Sequence, residues 1–116
     1  MISIAVVEDD QEYQKQLLQY IEQYGKEQEA QYKITVFQNG MNFLDDYKGD
    51  CDLIFMDIAM PHMDGLETAA ALRKRGDSTC LIFITSMAQY ALKGYEVNAF
   101  DFLVKPLAYK LFCIKF

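Results

Sequence analysis

The sequence predicts a doubly wound α/β domain: a five-stranded parallel sheet with helices on both faces. Three observations carry that expectation. Five short β-branched or apolar runs recur along the chain, helix-spaced segments separate them, and the strongest runs are unbroken rather than alternating. An unbroken apolar run is what a strand covered on both faces requires. Strands alternating with helices pair in parallel through right-handed crossovers.

The predicted strands are Ile2–Val7, Lys33–Phe37, Asp52–Met56, Cys80–Thr85 and Asp101–Val104. Between the first two, Tyr13, Leu17, Leu18, Ile21 and Tyr24 fall at helical spacing, and Gly25 offers a stop. Asp9-x-x-Glu12 fits a capping box at the start of that helix, so Asp9 or Asp10 is a candidate cap. Met41, Leu44 and Tyr47 predict a short helix ending at Gly49. Leu66, Ala69, Ala70, Leu72 and Arg73 predict another, opened by Asp64-x-x-Glu67 and closed by Gly76. Ala88 to Tyr95 reads as a fourth helix. Leu107 opens a fifth, inside which the chain stops at Phe116.

With 116 residues, 52% hydrophobic and 24% charged, residues 1–116 suit one domain with one core. The net charge of −6 comes without a basic stretch, which makes this domain a poor nucleic-acid binder by itself. No apolar run approaches the ~20 residues of a membrane-spanning helix. The N-terminal Met1–Val7 lacks a basic leader and runs into Glu8-Asp9-Asp10, unlike a signal peptide. Cys51, Cys80 and Cys113 are odd in number and set in apolar contexts, as expected of reduced, buried thiols in a cytoplasmic protein. The single histidine, His62, reads as a loop residue, and Met56, Met60 and Met63 read as packing.

Parallel α/β sheets place their chemistry at the carboxyl ends of the strands. There the first strand runs into Glu8-Asp9-Asp10, the third into Asp57, the fourth into Thr85-Ser86 and the fifth into Lys105-Pro106. Each residue alone has an ordinary structural role: a cap, a strand end, a turn. Together they require coincidences at four strand ends. Clustered carboxylates either take up protons or share a cation, and oxygen ligands without Cys or His select Mg2+. A carboxylate beside Mg2+ can attack a phosphoryl group, with an ammonium and a hydroxyl stabilising its oxygens. Glu8, Asp9, Thr85 and Lys105 around a nucleophilic Asp57 form that set.

Val-Val-Glu-Asp-Asp at 6–10, Met-Asp-Ile-x-Met-Pro-x-Met-Asp-Gly at 56–65, Ile-Thr-Ser at 84–86 and Val-Lys-Pro at 104–106 resemble the receiver domain of two-component response regulators. Residues 90–106 further resemble receivers of the LytTR-type (LytR/AgrA-like) subfamily. The resemblance implies a flavodoxin-like receiver fold with Asp57 as phosphoacceptor, taking its phosphoryl group from a sensor histidine kinase. It implies Mg2+ held by Glu8, Asp9, Asp57 and the backbone carbonyl of Ala59. It makes Thr85 and Lys105 the phosphoryl-binding partners and Phe102 the aromatic switch residue with Thr85. Pro61 and Gly65 would shape the loop after Asp57, and a cis bond would precede Pro106. The last helix would be truncated and any C-terminal effector domain absent from this chain, so DNA would be reached only through that domain. A homodimer formed on phosphorylation is implied as well. Catalysis would be confined to the protein's own phosphorylation and dephosphorylation.

Two positions depart from a fast self-dephosphorylating site. Ala59 and Met87, two residues past Asp57 and Thr85, offer nothing to orient a hydrolytic water, so slow phosphate loss is expected. Phe102 has no hydroxyl, so switching must act through ring packing. The expected output face carries Tyr90, Lys93 and Tyr95. Competing functions fit less well. A haloacid-dehalogenase-type phosphatase needs Asp-x-Asp, but position 59 is alanine. A mononucleotide binder needs a glycine-rich turn where Glu8-Asp9-Asp10-Gln11 stands. The alternative that remains is a phosphorylation-independent, receiver-like interaction module.

Overall fold

The computed structural model describes residues 2–86, 95–105, 108, 109 and 113. Its elements are β1 (Ile2–Val7), α1 (Gln11–Glu27), β2 (Tyr32–Phe37), α2 (Gly40–Asp46), β3 (Leu53–Asp57), α3 (Gly65–Lys74), β4 (Cys80–Thr85), a 3-10 turn (Tyr95–Val97) and β5 (Asp101–Val104). The strands form one five-stranded sheet in the order β2-β1-β3-β4-β5, every pair parallel. The expected helix over Ala88 to Tyr95 falls mainly outside the described residues. So do most of the helix from Leu107 onward, and Met87, Tyr90, Lys93 and Pro106.

Alternate side chains of each central strand enter opposite layers. Ile4 and Val6 of β1 pack with Leu17 and Ile21 of α1, together with Phe55, Ile82 and Ile84. Ala5 and Val7 pack instead with Phe43 of α2 and with Ala69 and Leu72 of α3. Both faces of β1, β3 and β4 are therefore buried, which explains their unbroken apolar sequences. β2 is an edge strand with Val36 exposed, and its pattern is correspondingly mixed. Tyr109 and Cys113 pack on the α1 side of the sheet. Among the described residues, no helix is long and apolar enough to cross a membrane.

Several local expectations need correction. Gly25 does not stop α1, which runs on to Glu27. A Cβ at Gly25 would sit 3.0 Å from the carbonyl oxygen of Ala30 and 3.1 Å from the Tyr32 ring, so this glycine gives the returning chain room to reach β2. Of the two candidate caps of α1 the structure selects Asp10, whose carboxylate accepts from the backbone N–H groups of Glu12 and Tyr13, so the Asp9–Glu12 capping box does not form. The third strand starts one residue late because the Asp52 carboxylate accepts from the N–H of Ser3 (2.9 Å), and it extends through Asp57, which pairs with Ile84. The second strand gains Tyr32, paired with Ile2. The three cysteines are free but half-buried rather than buried. The Asp64–Glu67 capping box is present at α3, and Gly76 follows the helix at φ 82°. Met56 and Met60 are buried, as packing requires, and His62 is an exposed loop residue at φ 67°.

Candidate functional site

The parallel register brings the ends of β1, β3, β4 and β5 to one edge of the sheet. Glu8 follows β1, and its N–H donates to the carbonyl of Phe37 (3.2 Å). Asp57 ends β3, Thr85 ends β4, and the Lys105 N–H donates to the Thr85 carbonyl (2.8 Å), fixing the backbone beyond β5. Glu8, Asp57 and Thr85 are the charged or polar residues, with Thr68, buried among the described residues. Glu8, Asp57, Thr85 and Lys105 thus share one edge of the sheet.

Lys105 joins the two buried carboxylates. Its Nζ lies 3.0 Å from Glu8 Oε2 and 3.3 Å from Asp57 Oδ2, with its side chain 7% exposed. Asp57 Oδ1 also accepts from the Ala59 N–H at 3.3 Å. One ammonium cannot balance both carboxylates. Burial, then the charge of Asp57, pushes the Glu8 carboxyl up from 4.5 to about 7 despite the neighbouring ammonium. Burial likewise raises Asp57, against the opposing pull of Lys105. Burial alone would lower Lys105, but Asp57 and Glu8 outweigh it and hold the ammonium above its usual range.

Asp9, freed from capping by Asp10, completes an acidic cluster. Glu8, Asp9 and Asp57 each offer a carboxylate oxygen, and these atoms lie within 4.8 Å of one another. The set is all hard oxygen, partly desolvated and under-neutralised, and it fits a small divalent cation. The loop carrying it is held from two sides. The Gln14 side chain donates to the carbonyl of Glu8, and the Gln38 side chain donates to that of Asp9 (3.4 Å).

The loop after Asp57 depends on Gly65. A Cβ there would lie 2.2 Å from the carbonyl oxygen of Asp57, while the Gly65 N–H donates to Ile58 (2.9 Å). This close approach seats α3 against β3. Pro61 lies in the exposed part of the same loop, and Ala59 is also exposed. Phe102 of β5 pairs with Phe83 and is half-buried against the layer formed by α2 and α3. The 3-10 turn that includes Tyr95 precedes it.

The sequence reading missed Tyr13. Its spacing puts it on the apolar stripe of α1, yet its ring faces Lys105 Nζ at 4.0 Å. Its position in the first turn of α1, directly after the acidic run Glu8-Asp9-Asp10, is the available signal. Arg73 likewise reads from its spacing as part of a helix face. Its guanidinium donates to the carbonyls of Asp77, Thr79, Val97 and Asn98 at 2.8 to 3.2 Å, tying α3 to the chain before β5.

The sequence matches the response regulator receiver domain family over residues 4–113. The chain belongs to that family. Among curated relatives, it is 34% identical to the transcriptional regulatory protein PcoR of Escherichia coli, over 91% of this chain and 46% of that protein. It is 31% identical to the sensory transduction protein LytT of Bacillus anthracis, over 91% of this chain and 42% of that one. The chain thus spans less than half the length of the curated relatives it matches. Among solved structures, the response regulator TrrA of Thermotoga maritima in complex with Mg2+-BeF superposes with a TM-score of 0.83 at 28% identity, covering 99% of this chain and 96% of that one. The non-phosphorylated HemR receiver domain of Leptospira biflexa gives 0.83 at 26%, covering 99% and 90%. This receiver domain therefore has the fold expected from its sequence, with a buried acidic cluster at the expected edge.

Proposed function

We propose that this receiver domain accepts a phosphoryl group on Asp57 from the phosphohistidine of a sensor histidine kinase. The observation that carries this reading is the convergence of Glu8, Asp57 and Lys105 within 3.0 to 3.3 Å at the carboxyl edge of the sheet. An Asp57 carboxylate oxygen attacks phosphorus, the P–N bond breaks, and its electron pair leaves with the imidazole nitrogen. Glu8, Asp9, Asp57 and the Ala59 carbonyl would hold Mg2+, which when bound offsets negative charge on the phosphoryl oxygens. Lys105 would shift its ammonium from the carboxylate pair to a phosphoryl oxygen, and Thr85 would donate its hydroxyl. The protein catalyses only its own phosphorylation and dephosphorylation.

Phosphoryl charge at Asp57 favours whichever packing brings Thr85 toward it, and the Phe102 ring behind β4 repacks in response. The resulting change on the face before and along β5 is the output, read as dimerisation or as control of a C-terminal LytTR-type DNA-binding domain. Residues 90–106 and the similarity to LytT support that subfamily. The similarity to PcoR supports transcription regulation, a cytoplasmic role.

The test is incubation with acetyl phosphate, with and without Mg2+, comparing wild type with Asp57→Asn by intact mass. A phosphoryl adduct that needs both Mg2+ and Asp57 is expected. A wild-type chain inert under these conditions would make it an interaction module that works without phosphorylation.

A further inference from the structure

We infer that Tyr13 is a positioning residue for Lys105, its ring covering a side of the ammonium that the carboxylates leave open; this rests on the phosphoacceptor reading above. An ammonium has three N–H donors. Glu8 takes it through Oε2 (3.0 Å) and Oε1 (3.2 Å), and Asp57 through Oδ2 (3.3 Å). The Tyr13 ring centroid stands 4.0 Å from the same Nζ, inside the roughly 6 Å over which an aromatic face attracts a cation.

Lysine needs such a partner here. Its ammonium is compact and strongly hydrated, on a stem with four rotatable bonds. Lys105 lies just past β5, an edge strand, with only its backbone tied to Thr85. A ring over the ammonium excludes water that would otherwise draw the head group outward. Tyr13 is itself fixed: it is the third residue of α1, and its N–H donates to the Asp10 carboxylate at 3.3 Å. One cap thus sets the ring and releases Asp9 to the acidic cluster. Leu17 and Ile21, one and two turns further along α1, point into the core, whereas Tyr13 reaches the carboxyl edge.

The choice of a ring over a polar partner has a chemical consequence. A hydrogen-bonding side chain would pin the ammonium in one place. The face of an aromatic ring attracts a cation over a broad area, so Lys105 can shift from the carboxylate pair to an arriving phosphoryl oxygen without leaving Tyr13. The hydroxyl plays no part in this.

The experiment measures the initial rate of acetyl phosphate-dependent adduct formation, by intact mass in the presence of Mg2+, for wild type, Tyr13→Phe, Tyr13→Leu and Lys105→Met, alone and combined. Tyr13→Phe should stay within about twofold of wild type, and Tyr13→Leu should fall about three- to tenfold. In the Lys105→Met background, Tyr13→Leu should change nothing further. Independently of phosphorylation, the Lys105 side-chain protons should show upfield ring-current shifts in wild type and Tyr13→Phe that vanish in Tyr13→Leu. Equal rates for Tyr13→Leu and wild type, an undiminished effect without Lys105, or unshifted Lys105 protons would each overturn the inference while leaving the proposed function intact. A wild-type protein that forms no adduct would overturn both.

Discussion

Replacing Glu8 by Gln should stabilise the metal-free protein at neutral pH. Glu8 is 3% exposed, and burial beside Asp57 lifts its carboxyl from 4.5 to about 7. Between those values the folded state holds a proton that the unfolded chain has released, so stability falls as pH rises through the interval. At 1.36 kcal/mol per pH unit the full loss reaches up to about 3 kcal/mol near pH 7. Gln carries no such proton, and its amide oxygen can still accept from the Asp10 N–H or from Lys105, as Glu8 does now. The variant should therefore match wild type near pH 4.5 and exceed it by up to about 3 kcal/mol at pH 7.5, on the order of 10 °C in Tm for a domain this size. Urea and thermal unfolding from pH 4.5 to 8, with and without Mg2+, measure both arms. Wild type should recover its deficit as Mg2+ is added, about 2.7 kcal/mol at a hundredfold excess over Kd, and the variant should recover less. A variant no more stable than wild type at pH 7.5, or a gap constant with pH, would refute the reasoning.

Four further outcomes follow from the same geometry. Lys105→Met leaves two buried carboxylates without their cation, and should cost about 3 kcal/mol at pH 8 but much less at pH 5, where Glu8 is protonated; urea unfolding at the two pH values reads it. Gly65→Ala drives a methyl to 2.2 Å from the Asp57 carbonyl and should destabilise on the order of 3 kcal/mol, with slower adduct formation among molecules that still fold. Arg73→Lys cannot reach all four carbonyls, so stability should drop by about 1–3 kcal/mol, and amide exchange should rise selectively over residues 95–99. Ala59→Asn supplies a polar side chain at the mouth of the site and should speed loss of the phosphoryl group on the order of tenfold, followed by intact mass after donor removal.

The sheet was legible because its strands are buried on both faces: Ile2–Val7 and Cys80–Thr85 match their predicted bounds, and only β2, an exposed edge, and β3 shifted by a residue. The site was legible for a related reason. A buried strand has no use for Glu8 or Asp57, so charge at its carboxyl end stands out against the apolar run. Gly25 misled because a glycine in a helix can stop it or admit a neighbouring backbone, and only the position of Ala30 decides. The sequence leaves Asp9 and Asp10 open as the cap because adjacent aspartates offer the same chemistry to the helix, and the structure selects Asp10. Tyr13 and Arg73 were hidden by type: an aromatic and a long cation on an amphipathic helix match its apolar stripe and its rim. Their partners, Lys105 and the chain before β5, lie far away in sequence.

The strain in this site and its reactivity have one origin. Two carboxylates share one ammonium in a space too dry to screen them, so without a cation a proton is retained on the pair near neutral pH, chiefly by Glu8. That proton competes with any divalent ion for the same oxygens, and binding the ion expels it. In the function proposed above, the charge that destabilises the metal-free site would become affinity for the metal and, with Lys105 already in place, for the phosphoryl group. Asp9 sharpens this arrangement because, more exposed than Glu8 and released by the Asp10 cap, it adds an oxygen to the cluster without a second full burial cost. A cluster of fully paired charges would fold more stably and bind neither.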